Sequence, residues 1–155
     1  MRFASGLILA AAVAGALPLH AQREKLSWDD REYVEKTWPD AIKTSTGLRY
    51  VILRPGSGTE TPKPGDLVSV IYTGRLLSGK VFNQELNPSE PFRFRLDRGQ
   101  LIPAWEEAIR QMKRGEKRLI IVPPELGYGT RGNPPLVPRN TALVFEVELL
   151  EFHSG

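Results

Sequence analysis

Cysteine is absent from the 155 residues, and histidine occurs only at His20 and His153. Without cysteine there is no disulfide framework, no thiolate nucleophile and no zinc–thiolate site. With one histidine near each end of the chain, neither a Ser-His-Asp triad nor a multi-histidine metal site has a framework to stand on. Charge of one sign is also lacking: 21 Lys+Arg against 18 Asp+Glu give a formal net charge of +3. A nucleic-acid partner needs clustered basic excess, so none is expected. A bilayer-spanning run is missing as well. What the chain has in plenty is glycine and proline, 14 and 13 residues, within a composition that is 41% hydrophobic and 25% charged. Those figures describe one turn-rich domain of ordinary make-up.

The first segment reads as a leader rather than as part of the fold. Met1-Arg2 supplies a positive charge, and the apolar stretch Leu7 to Leu17 ends among small residues before Pro18 and His20. The run is shorter than the roughly 20 apolar residues needed to cross a bilayer. Basic start, short apolar centre and polar end are the layout of a cleavable signal peptide, residues 1–21 with the cut after Ala21, or alternatively after Ala16. The expected destination is the secretory pathway, most simply the bacterial periplasm or the medium, with the endoplasmic-reticulum lumen as the alternative. No membrane span remains once the leader is removed.

Residues 22–46 read as a charged, partly helical extension. A helix is expected over 24–38, with Ser27 and Asp30 forming a capping-box-like pair and Pro39 ending it at Trp38. Its apolar positions form no clean stripe. From Leu48 the pattern becomes strand-like: Leu48–Leu53, then Leu67–Tyr72, a brief return at Val81-Phe82, and Phe92–Leu96 with Phe92, Phe94 and Leu96 on one face. Arg93 and Arg95 then face solvent. Pro103 opens a helix in which Ala104, Trp105, Ala108, Ile109 and Met112 recur at helical spacing, closed by Gly115. Leu119–Val122 is a buried strand, 123–140 a long Pro/Gly-rich loop, and Thr141–Phe152 a last strand with Leu143, Phe145, Val147 and Leu149 on one face. The basic residues Lys113, Arg114, Lys117 and Arg118 surround a turn and read as solvated surface. The class is α+β, a strand-rich sheet against one short helix.

Chemistry by proton transfer finds no purchase. Glu106 and Glu107 are adjacent on a helix and point different ways, so they make no carboxylate pair. Gly127-Tyr128-Gly129 lacks the Gly-Lys-Ser/Thr of a phosphate loop. No metal or cofactor is expected. Aromatic residues are better placed: Tyr72, Phe82, Phe92 and Phe94 come from three strands, Trp105 from the helix and Phe145 from the last strand. The long loop adds Leu126, Tyr128, Leu136 and Val137, which suits a wall or flap over an apolar cleft.

Seven blocks carry a resemblance. Val70-Ile71-Tyr72-Thr73-Gly74, Gly79-Lys80-Val81-Phe82, Pro91-Phe92-Arg93-Phe94, Trp105-Glu106-Glu107-Ala108 and Gln111-Met112-Lys113-Arg114-Gly115-Glu116 are five of them. Ile121–Gly129 and Thr141–Leu150 complete the set, in order and at the right spacing. Together they resemble the FKBP family of peptidyl-prolyl isomerases from about Gly47 to the end of the chain.

The resemblance implies an antiparallel sheet of five to six strands wrapped around one short α-helix, with the isomerase domain at 47–155. It implies a catalytic group of Tyr72, Phe82, Asn83, Trp105, Tyr128 and Phe145, with Trp105 as the floor of a proline pocket and the Tyr128 hydroxyl meeting a substrate carbonyl. Phe92, Phe94, Leu101, Ile102, Leu136 and Val137 would bind substrate, the backbone N–H at the Leu101-Ile102 rim meeting the ligand and Leu136-Val137 forming the flap. The implied partners are unfolded polypeptides containing proline, and macrolide inhibitors; whether the chain is a monomer or a dimer is left open. Three positions depart from the family: Asn83 replaces an aspartate, Pro103-Ala104 replaces a glycine before Trp105, and Asn133 stands where many members have histidine. The alternative these departures allow is a proline-peptide-binding chaperone module with little or no turnover.

Overall fold

The computed structural model describes residues 24–155, so the leader expected at 1–21 lies outside the described residues. The chain runs α1 (Trp28–Thr37), β1 (Ile42–Lys43), β2 (Arg49–Arg54), β3 (Leu67–Leu76), β4 (Val81–Glu85), β5 (Phe92–Arg95), α2 (Pro103–Ile109), β6 (Lys117–Val122) and β7 (Leu143–His153). All pairings are antiparallel, in the order β1-β2-β6-β7-β3-β4, with β5 also on β3. The expected α+β architecture is present with one strand more than the count of five to six, because the two-residue β1 adds itself to the edge of β2. So short a strand leaves no periodic signal.

One relationship positions the site. β7 pairs with the whole length of β3, while on its other edge β3 pairs with β5 through Leu67–Val70 and with β4 through Tyr72–Arg75. Two short strands thus share one edge, and Phe82 and Phe92 are brought beside Tyr72. The two faces of the sheet carry separate cores, as period-2 alternation requires. Ile120, Val122, Leu143, Phe145 and Val147 face α2, which contributes Trp105, Ala108 and Ile109. Leu119, Ile121 and Val144 face the opposite way and are covered by Leu26 and Val34 of the extension.

Several local expectations are corrected. The first helix starts at Trp28, not residue 24, because Ser27 is its cap: the Ser27 hydroxyl accepts from the Asp30 N–H at 3.2 Å. Glu24–Leu26 instead lie against the sheet. α2 ends at Ile109 rather than reaching Met112, which is still fully buried through turns closed by Gln111 and Met112 N–H groups. Gly115, at φ +78°, donates its N–H to the Leu149 carbonyl at 2.7 Å.

Of the basic residues around 113–118, Lys113, Arg114 and Lys117 remain partly exposed, but Arg118 is not solvated surface. Arg118 is buried at 4% exposure, its Nε 2.8 Å from Glu116 Oε2 and its guanidinium 4.5 Å from the Tyr50 ring centre. Arg114 stacks 3.8 Å over Phe152 and donates to the Phe152 carbonyl. Glu116 closes the turn before β6 and Arg118 is the second residue of the strand, and their ion pair lets each satisfy the other out of water.

Candidate active site

A cavity of about 400 Å³ opens between β3, β4, β5, α2 and the loop after β6. Its aromatic wall is built edge to face. The Trp105 ring is 4.7 Å from Tyr72 and 5.4 Å from Phe145, at 86° and 84°, and Phe82 meets Phe145 at 5.6 Å and 82°. Phe92 stands 5.9 Å from Tyr72 and 6.1 Å from Trp105. Edge-to-face pairs of this kind contribute about 0.5–1.5 kcal/mol each beyond their buried area, so the wall is stiff before anything enters it. Tyr72, Phe82, Trp105 and Phe145 are buried, whereas Phe92 keeps 38% of its surface exposed at the mouth.

Trp105 owes its place to the start of α2. Pro103 occupies the first turn, where its missing N–H leaves no hydrogen bond unmade, and Trp105 follows within that turn against the aromatic wall. The preceding segment turns at Asp97, which adopts φ +57° and donates its N–H to Glu106 Oε2 at 2.7 Å. Aspartate tolerates this left-handed geometry better than most residues. Glu107 goes another way and accepts from the Thr46 hydroxyl at 2.5 Å, so the adjacent carboxylates are indeed separated. Ile102 is extended, at φ −64° and ψ 149°, and its carbonyl accepts from the Trp105 N–H. Its own N–H enters no backbone hydrogen bond among the described residues. The Trp105 Nε1 is likewise buried without a partner among them. Buried unpaired donors are uncommon in folded chains, and the Trp105 Nε1 is one, in a side chain that lines the cavity.

Two phenols border the cavity, Tyr72 on β3 and Tyr128 in the loop. Burial pushes the Tyr72 hydroxyl above its ordinary value of 10.0, with Tyr128 and Glu85 adding to the shift. It therefore stays protonated across the physiological range. Tyr128 is held by the 3-10 turn Pro124–Leu126, whose Pro124 carbonyl accepts from both Gly127 and Gly129.

Of the residues singled out from the sequence, the cavity lining brings together Tyr72, Phe82, Asn83, Phe92, Leu101, Ile102, Trp105, Tyr128 and Phe145. Three lie elsewhere. Phe94 is buried behind the wall, 5.6 Å from Phe92 and 6.2 Å from Trp105. Val137 is buried in the main core, and Leu136 beside it is 46% exposed. Asn83 lines the cavity from the edge, where it is exposed. Gly99, Gln100, Pro103 and Gly127 also line the cavity and were not foreseen. Two are glycines and one a proline, and the Gln100 amide oxygen is taken by the Arg95 N–H, so they leave no side-chain pattern to read.

Comparison with known proteins places this arrangement. Residues 58–150 match the family described as FKBP-type peptidyl-prolyl cis-trans isomerase. The chain is 43% identical over 108 residues to "FK506-binding protein 1A" of Aspergillus fumigatus, covering 70% of this chain and 96% of that one. It is 45% identical over 123 residues to "FKBP-type peptidyl-prolyl cis-trans isomerase FkpA" of Escherichia coli, covering 78% of this chain but only 44% of FkpA. The crystal structure of a peptidyl-prolyl cis-trans isomerase from Pseudomonas syringae is similar at a TM-score of 0.71 and 34% identity, covering 81% of this chain and 92% of that one.

Proposed function

The chain belongs to the FKBP-type peptidyl-prolyl cis-trans isomerases, and from that premise we propose that the aromatic cavity is where it turns the X–Pro bond. The observation that carries the proposal is the make-up of the lining: aromatic rings, two phenols of which Tyr72 is held protonated by burial, and backbone N–H groups, with no carboxylate, cation or nucleophile among the lining residues.

Rotation about an X–Pro bond meets a barrier of about 18–20 kcal/mol because the C–N bond is partly double. Unaided it takes roughly tens to hundreds of seconds. No proton has to move. The planar imide is more charge-separated than the twisted one, so apolar walls around it raise the planar state more than the twisted state. The proline ring lies over Trp105 between Tyr72, Phe82 and Phe145, entering past Phe92. The Ile102 N–H and the Tyr128 hydroxyl take the flanking carbonyls and hold the twisted geometry, which is an orientation effect rather than acid–base catalysis. Phe94 backs Phe92 and Trp105, Leu101 forms the rim, and Asn83 offers a neutral amide at the edge. Leu136 is the exposed tip of the flap that Val137 anchors from below.

The isomerase domain is 47–155 and residues 22–46 are an extension, which packs Leu26 and Val34 on its second face. The leader at 1–21 directs the chain out of the cytoplasm, to the periplasm or beyond. What supports this is the leader's basic start and short apolar centre. The substrates are unfolded, proline-containing polypeptides, and macrolide inhibitors compete for the same cavity.

A protease-coupled assay on a proline peptide tests the reading. The purified chain should accelerate isomerisation, and replacing Phe82 by Ala should lower the rate without unfolding the domain. Retained binding of proline peptides with no acceleration would replace the enzyme by a binding chaperone, the outcome to which the uncharged Asn83 points.

A further inference from the structure

Residues 24–26 lie outside the isomerase domain, yet they reach the loop that carries Tyr128. Lys25 Nζ is 2.7 Å from Glu125 Oε2, in the middle of the 3-10 turn Pro124–Leu126. Lys25 is largely covered, with 20% of its side chain exposed. Its stem runs over Gly47, where an added β-carbon would stand 3.1 Å from Lys25 Cδ. The segment is fixed on both sides of it. Glu24 Oε1 accepts the N–H groups of Lys25 and Leu26, and Glu24 Oε2 lies 2.8 Å from Arg49 Nη2. Leu26 is buried with Ile121, Ala142 and Val144, the residues flanking the two ends of the long loop.

That loop is also held by Leu126 and Tyr128, which pack against the main core, and by backbone bonds of its own. The 3-10 turn has no side-chain cap, and the Pro124 carbonyl accepts from Gly127 and Gly129, the neighbours of Tyr128 on either side. Whatever holds Pro124–Leu126 therefore holds the frame from which Tyr128 projects. We infer that Lys25 is a positioning residue for the isomerisation, holding this turn from outside the domain so that Tyr128 stays at the cavity wall. The inference rests on the reading of Tyr128 as the group that meets the substrate carbonyl. Glu125 is more exposed than Lys25, so the pair acts at the modest strength of a partly screened ion pair.

The experiment measures kcat and KM of the full chain for Lys25→Gln, Lys25→Glu, Glu125→Lys and the double reversal, with thermal midpoints alongside. Lys25→Glu and Tyr128→Phe are also combined. Each single charge reversal should lower kcat about two- to five-fold at low salt with KM little changed, the range that exposed pairs span. The mild Lys25→Gln, which keeps the stem, should show part of the same loss. The double reversal should restore kcat, and about 1 M salt should bring the parent down to the level of the single variants. On the Tyr128→Phe background the reversal at Lys25 should have much less effect. Unchanged kcat in the Lys25 variants while Tyr128→Phe is slowed overturns the inference alone. So does a loss that the double reversal fails to restore, or one that is undiminished on the Tyr128→Phe background. Tyr128→Phe turning over as fast as the parent overturns the reading of Tyr128 and the inference with it.

Discussion

Gly74 on β3 lies in register with Phe145 on β7, and a β-carbon on Gly74 would stand 2.7 Å from Phe145 Cε1 and 2.8 Å from Phe82 Cζ. The glycine is kept here by space rather than by backbone conformation, since its φ is not in the left-handed region. Its bare Cα lets the two rings meet edge to face and close that side of the cavity. Gly74→Ala should lower stability by about 1–3 kcal/mol, the usual range for overpacking a filled core. It should also lower kcat/KM, because both displaced rings bound the cavity. Denaturant unfolding and the coupled assay read the two effects; an alanine variant as stable and as fast as the parent would show that the wall yields.

The lining predicts an unusual pH profile. Tyr72 and Tyr128 are its titratable residues, and Tyr72 is raised above 10.0 chiefly by burial. A raised phenol is neutral below its ordinary value and ionises only as pH climbs through the higher one. Turnover should accordingly be flat from about pH 6 to pH 9, where a general acid or base would give a bell. A bell-shaped kcat with a limb near neutrality would mean that a proton moves in the rate-limiting step.

The Glu116–Arg118 pair should dominate the stability of β6. Both side chains are 5% exposed and 2.8 Å apart, so removing one leaves the other buried and uncompensated. Glu116→Ala should cost about 3–5 kcal/mol by denaturant unfolding, while a joint replacement of the two by apolar residues of similar volume should cost much less. Equal losses in the single and joint variants would locate the effect in packing instead.

Much of this molecule is legible in its sequence, and the remainder is hidden for identifiable reasons. The alternation of Phe92, Phe94 and Leu96, and of Phe145, Val147 and Leu149, reports one buried face, and the structure buries Phe94, Leu96, Phe145, Val147 and Leu149. Most of the aromatic group could be assembled because Tyr72, Phe92, Phe94, Trp105 and Phe145 sit in strands or a helix with a clear period, whereas Phe82 lies in a brief apolar return. The second core could not. Leu26 and Val34 cover Ile121 and Val144, but they fall on opposite sides of the Ser27 cap, one in extended chain and one in α1, so no single period links them. Arg118 reads as solvated only if β6 is begun at Leu119; begun at Lys117, the strand puts Arg118 on a buried face beside Glu116. Val137 reads as flap because it sits among prolines, yet its N–H and carbonyl both bond Asn133 and its side chain enters the core. Within the loop, sequence distance says little about which neighbour faces in.

Glu24 makes the attachment of the extension pH-dependent. Burial raises its carboxyl, but the Leu26 N–H and the charges of Arg49 and Lys43 outweigh this and leave it below the usual 4.5. A lowered carboxyl contributes stability that is complete above its unfolded value and is lost as pH falls through the folded one. The contribution is tempered by solvent, since the side chain is partly exposed. The parent should therefore lose more stability than Glu24→Gln between about pH 5 and pH 3, measured by denaturant unfolding at low salt. At neutral pH the variant starts lower, because Arg49 is buried and, among the described residues, keeps only the Glu35 carboxylate at 3.4 Å, with its Nε already unpartnered there. The two curves should thus converge on acidification. Parallel curves would assign the acid sensitivity to other carboxylates and leave Leu26 and Val34, rather than charge, as what fastens the extension to the sheet.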